Sequence, residues 1–248
     1  MNMRFKDIEF LIKKIIPEKY LLEKRLKRAI KKKYEKELTL IKKFTDKSKE
    51  AIDIGVYRGV YSYELAKYFK FVHAFEPNPL IFPYLSKNLT KVIKNLKLYD
   101  IALSDKSGEV NLRIPNRTKS LFKKNVEELY KLGCATIHNE NVFNKYHQFN
   151  VKKNKLDNLI KNKNIGFIKI DVEGHELEVI NGARKLIKEN KPILLIEIET
   201  KHTKKNINET INTINQYGYK SYFYENNELK STDLLNSSNK FNNFIFKL

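Results

Sequence analysis

Three acids and a histidine fall within six residues in Phe-Ile-Lys-Ile-Asp-Val-Glu-Gly-His-Glu, residues 167–176. An apolar run ends at Asp171. Glu173, His175 and Glu176 then crowd onto a loop and the start of a helix. Such crowding is costly unless it is used, and groups of this kind gather where acid–base chemistry is done. His175 is suited to act as a general base, with Asp171 or Glu173 orienting it. Asp171 and Glu173 could instead hold a hard divalent cation. The same acids could also simply cap the helix.

Three further segments suit a ligand. In Ala-Ile-Asp-Ile-Gly-Val-Tyr-Arg-Gly, residues 51–59, a strand ends at Asp53 and a loop carrying Gly55 and Gly59 follows. Ligands of open α/β sheets sit at the carboxyl ends of strands. The dinucleotide fingerprint needs a second glycine where Tyr57 stands, which lowers the case for NAD or FAD. In Ala-Phe-Glu-Pro-Asn-Pro, residues 74–79, Glu76 closes the next strand, 21 residues after Gly55. That spacing suits a carboxylate accepting from two ribose hydroxyls. In Ile-Ala-Leu-Ser-Asp-Lys-Ser-Gly-Glu, residues 101–109, Ala102 leaves room for a ring, and Ser104 or Asp105 could accept from an exocyclic amine. A cationic nucleoside without phosphate, S-adenosylmethionine (SAM), fits all three.

These segments need a sheet to hold them. Short apolar runs at 51–54, 71–75, 96–103, 165–170 and 193–198 alternate with helical patterns at 61–69, 79–89, 176–188 and 207–217. Further strands are expected at 110–114, 219–224 and 243–247. Strand–helix alternation with short apolar strands predicts a doubly wound α/β sheet. Residues 115–150 break the rhythm. We read them as a variable insertion on the substrate side, with His138 and His147 as its better contact candidates.

Composition narrows the class. The chain has 248 residues and 41% hydrophobic content, enough for a sizeable core. Cys134 is the sole cysteine, which excludes an internal disulfide and a cysteine-rich zinc site; no base stands at motif spacing from it, so it reads as a bystander. Net charge is +20, but 42 of the 49 cations are Lys and seven are Arg. With 27 Asn and 26 Ile this looks like codon bias. The scarcity of Arg forks argues against nucleic acid as a partner. Residues 1–49 form a basic amphipathic helical extension, with apolar positions at 5–16 and again at 22–44, broken by Pro17. Its Lys-rich face suits either a solvated lid or peripheral contact with an anionic membrane through residues 1–45. Asp7 and Glu9 argue against a signal peptide. The expected setting is cytoplasmic, peripheral at the inner face of the membrane if that contact is made.

The stretches IDIGVYRGVYS, AFEPNP, ALSDKSGE, LDNLI, FIKIDVEGHELEVINGA and PILLIEIE together resemble the FkbM family of SAM-dependent methyltransferases. The resemblance covers about residues 50–247, sets a methyltransferase domain at 50–248, and implies the Rossmann-like class I methyltransferase fold, a seven-stranded, mostly parallel sheet with helices on both faces. It implies O-methylation of a sugar, glycan precursor or other small molecule, in the setting of surface polysaccharide synthesis. Carried over, Asp53, Gly55 and Gly59 line the methionine end of SAM, Glu76 holds the ribose, Ala102, Ser104 and Asp105 face the adenine, and Asn78 belongs to the same cofactor site. Asp171, Glu173 and His175 border the transferred methyl. The family usually shows Asn where this chain has Tyr57. Two other classes fit the same sequence: an RNA methyltransferase gripping its substrate with the basic helices, and a non-catalytic, membrane-associated scaffold in glycan assembly.

Overall fold

The computed structural model describes residues 16–32, 35–116, 133–137, 145–161, 163–198, 207–235 and 241–248. The apolar pattern at 5–15, His138 and His202 lie outside the described residues. Helix α1 (Glu18–Lys31), a single turn α2 (Leu38–Ile41) and a 3-10 turn (Lys42–Phe44) precede the sheet. The helical pattern expected through residue 44 is therefore broken around residues 35–37.

The core strands are β1 (Glu50–Ile54), β2 (Val72–Phe75), β3 (Leu96–Tyr99), β7 (Ile165–Ile170) and β8 (Ile193–Glu197). They pair in parallel in the order β3-β2-β1-β7-β8. β11 (Asn243–Lys247) joins β8 antiparallel, then come β9 (Lys220–Glu225) and β10 (Glu228–Ser231). The sheet thus has eight strands rather than seven. The extra strand is the second arm of a tight hairpin, whose turn residues Asn226 and Asn227 both have positive φ.

The run expected as one strand over 96–103 divides. β3 stays in the main sheet, while β4 (Ala102–Leu103) pairs with β6 (Tyr146–Asn154) in a second sheet completed by β5 (Gly108–Pro115). β6 takes in the end of the 115–150 insertion. The helix expected over 176–188 bends at Ala183 into α6 (Glu176–Gly182) and α7 (Arg184–Asn190). The remaining helices are α3 (Val60–Tyr68), α4 (Phe82–Val92), the single turn α5 (Leu156–Leu159) and α8 (Ile207–Asn215).

Alternation along the buried strands sends successive side chains to opposite faces. Ala51, Ala74, Phe167 and Leu195 face a layer built by α1, α3 and α4. Ile52, Phe75, Ile168 and Leu194 face α6, α7 and α8. α1 buries Leu22 and Leu26 in the first layer and turns Lys24, Lys27, Arg28, Lys31 and Lys32 to solvent. Among the described residues no helix is long and apolar enough to cross a membrane.

Candidate active site

The sheet ladder runs past the strand ends and fixes the loops that follow. Gly55 N–H donates to Phe75 O at 3.0 Å, Glu76 N–H to Tyr99 O at 3.0 Å, and Asp171 N–H to Ile54 O at 3.0 Å. A cavity of about 280 Å³ opens over these ends. Gly55 follows β1, Glu76 to Asn78 follow β2, and Asp171 to Glu173 follow β7, all on its wall. Ile81, Ile101, Ala102, Leu103, Leu112 and Ile137 give it an apolar side.

Gly55 has φ +83°, and a Cβ there would stand 1.8 Å from the Asp171 carbonyl oxygen. Its bare Cα thus lets two strand ends touch, besides exposing backbone to the cavity. Glu76 is buried, and burial pushes its carboxyl up to about 7, against the pull of its backbone donors. Its Oε2 accepts from Tyr57 N–H at 2.8 Å and its Oε1 from Asn78 N–H at 2.9 Å. Both oxygens keep further lone pairs for a ligand hydroxyl.

Asp53 lies behind the wall, fully buried, with Ser62 Oγ donating to its Oδ2 at 2.5 Å. Burial raises its pKa to about 6, against the attraction of Lys169. Lys169 is buried on the same face and donates to Asp171 Oδ2 at 2.9 Å. Gly59 caps α3 with φ +79° and does not line the cavity.

The candidates around the fourth motif separate. Asp171 and Glu173 line the cavity, whereas His175 does not. His175 Nε2 instead lies 2.9 Å from Ser104 Oγ, while its Nδ1 faces Glu178 Oε2 at 3.6 Å. Ser104 and Asp105 also stand off the wall, which takes Ala102 and Leu103 from that segment. Glu176 is buried, accepts from Gly174 N–H at 3.0 Å and so shapes the loop that presents Glu173. Glu173 itself has φ +54°, and its carbonyl accepts from Thr136 Oγ1 at 2.7 Å. Among the described residues no group of three or more His, Cys, Asp or Glu is disposed to hold a metal ion.

Sequence reasoning passed over several wall residues, and it read Cys134 as a bystander although it lines the cavity. Gly133 and Cys134 come from the insertion, Glu197 from the end of β8, and Glu35 from the N-terminal segment. Glu197 obeys the strand-end rule that found Asp53 and Asp171, so that signal was present. Tyr57 also lines the wall, at φ +50°. Arg58 sits over its ring, 4.8 Å from the centroid. Gly133 packs so closely on that ring that a Cβ would come within 2.4 Å of it.

The family described as Methyltransferase FkbM domain matches residues 53–221. The chain belongs to the FkbM methyltransferase family. The matched stretch begins at Asp53 and takes in every cavity segment except Glu35. Among solved structures, the FkbM methyltransferase from Methylobacillus flagellatus KT aligns with a TM-score of 0.52 at 17% identity. The alignment covers 81% of this chain and 44% of that one, so this chain spans less than half of its length. It shares the fold. An rRNA methylase from Streptococcus thermophilus aligns at TM-score 0.43 and 14% identity, covering 85% of this chain and 93% of its own. A putative methyltransferase from Streptococcus mutans, in complex with SAH, aligns at TM-score 0.47 and 15% identity, covering 86% and 96%. A sequence search of the curated proteins returns no significant match.

Proposed function

We propose that this FkbM-family protein moves the methyl group of SAM to a hydroxyl of a sugar, glycan precursor or other small molecule. The observation that carries the reading is the setting of Glu76. It is a buried carboxylate at a strand end, fixed by two backbone amides and open to a cavity with an apolar side. A ribose beside a flat apolar base matches that arrangement. The residues fit the donor in charge as well, since Glu35, Asp171, Glu173 and Glu197 share the wall. Carboxylates favour a cationic ligand over a neutral one. When bound, SAM supplies an electrophilic methyl on a sulfonium.

The chain's own task is then alignment and proton removal. Glu76 and Asn78 hold the ribose, while Ile101, Ala102 and Leu103 hold the base. Positioning of this kind removes ~7–11 kcal/mol of barrier. A sugar hydroxyl is a weak nucleophile, and a placed base adds about 100- to 10,000-fold. Asp171 and Glu173 are the cavity groups that serve here, because His175 faces Ser104 instead. Lys169 holds the Asp171 carboxylate in one orientation.

The test is calorimetric titration with S-adenosylhomocysteine, wild type beside Glu76→Ala. Micromolar binding that the variant loses supports the reading. A folded wild type that binds nothing overturns it. Sugar acceptors are then screened with labelled SAM.

A further inference from the structure

A smaller cavity of about 130 Å³ adjoins the first. Ala29, Glu35 and Leu38 wall it on the N-terminal side, and Gly55, Tyr57, Tyr61, Lys169 and Asp171 on the other. Glu35, Gly55, Tyr57 and Asp171 line both cavities, so they form the partition between them. Tyr61 is buried here with the Glu35 carboxylate as its side-chain neighbour, and Asp53 Oδ1, behind the wall, is buried with no hydrogen-bond partner among the described residues. Ions of both signs line the space: Glu35, Arg58 and the Lys169–Asp171 pair.

Most of the acids here are already engaged. Asp53 takes the Ser62 hydroxyl, Asp171 takes Lys169, and Glu76 takes two amides. Glu35 faces the Tyr61 hydroxyl and lies close enough to Lys169 for its charge to favour the ammonium. Burial raises the Tyr61 pKa and the neighbouring Glu35 raises it further, so the phenol stays a donor. A chamber that offers a carboxylate beside a phenol and an ammonium suits a zwitterion.

We propose that Glu35 binds the α-ammonium of the methyl donor's amino-acid end, so that the N-terminal segment forms part of the donor site. This assignment rests on the reading of the donor as SAM. It adds a ligand from outside the family match, which begins only at residue 53. In this arrangement the apolar side of the larger cavity takes the base, Glu76 the ribose, and the partition the amino acid.

The experiment titrates the full chain, wild type and Glu35→Gln, with S-adenosylhomocysteine and with its deaminated analogue. A charged hydrogen bond of this kind is worth about tenfold or more in affinity. Wild type should therefore bind S-adenosylhomocysteine at least about tenfold tighter than the analogue, and Glu35→Gln should bind the two alike. A Glu35→Gln protein that keeps the wild-type preference overturns the assignment. So does a wild type with no preference, a result that needs no variant to fold. A wild type that binds neither compound overturns the donor reading itself, and is told apart from both by that absence.

Discussion

The imidazole of His175 and the hydroxyl of Ser104 lie 2.9 Å apart, joining the loop after β7 to the loop after β4. Gly182 lies against the same place, since a Cβ on it would stand 2.1 Å from the Ser104 carbonyl oxygen. The two contacts pin the segment that presents Ala102 and Leu103 to the cavity. His175 is therefore a positioning residue in this geometry. His175→Ala should weaken S-adenosylhomocysteine binding about tenfold and leave kcat within about threefold. Steady-state kinetics beside titration separates the two. A kcat loss of about 100-fold at unchanged affinity would return His175 to the role of base.

The protonation of Glu76 ties donor binding to pH. Burial holds its carboxyl at about 7 in the free protein, above the ordinary 4.5. Ribose hydroxyls are accepted best by the charged form, so binding removes a proton. Affinity for S-adenosylhomocysteine should rise about tenfold from pH ~6 to pH ~8. The sign for stability is opposite. Glu76 and Glu176, both raised to about 7, bind more protons folded than unfolded. Their contribution to stability thus falls as pH rises from 4.5 to 7. Melting of the free protein across that window, and titration at pH ~6 and pH ~8, check the two signs.

Two glycines of one loop should behave differently. Gly55→Ala drives a Cβ to 1.8 Å from the Asp171 carbonyl oxygen, just past β7, at φ +83° and has no room to relax. A loss above about 4 kcal/mol, or no folded protein, is expected. Gly59→Ala meets only the Leu89 methyls, at 2.8 Å, and those can turn away. About 1–2 kcal/mol is expected there, from the strained φ. Denaturant unfolding of both variants checks the order, and equal losses would refute the role of the β1–β7 contact.

Lys169 is buried between acids. Burial works against its charge, but Asp171 and Asp53 hold its pKa above the ordinary lysine value. Lys169→Met keeps the volume and strands two carboxylates. The variant should lose about 3 kcal/mol. The loss should shrink toward low pH, where those acids take up protons. A loss that is flat with pH would show that packing, not charge, is what Lys169 supplies.

The parallel centre of the fold was legible because its strands are buried on both faces and read as plain apolar runs. The run at 96–103 misled because apolar residues resume directly after Asp100, where the chain leaves one sheet for another. β6 was hidden for a different reason. It lies in the outer sheet with alternate residues exposed, so Phe149 and Val151 stand alone among polar neighbours. In the site, Glu76 and Asp171 followed from strand ends and spacing. Glu35 did not, since one acid in a Lys–Glu-rich stretch carries no period to mark it. His175 carried the right residue type for a base, but no spacing rule told which of its neighbours the ring would face.

Leu22, Leu26, Leu38, Leu40 and Ile41 are all buried, in the same apolar layer as Ala51 and Phe167. Burying five aliphatic side chains is worth on the order of 10 kcal/mol, as much as the whole net stability of an ordinary domain, about 5–15 kcal/mol. The homology boundary at residue 53 is therefore not a folding boundary. Shortened versions cut to the family match would bare a greasy flank of the sheet and clump. Crystallisation, assay and vesicle-binding work should all start from the full chain, and surface charges on α1 should be changed in place rather than removed with the helix.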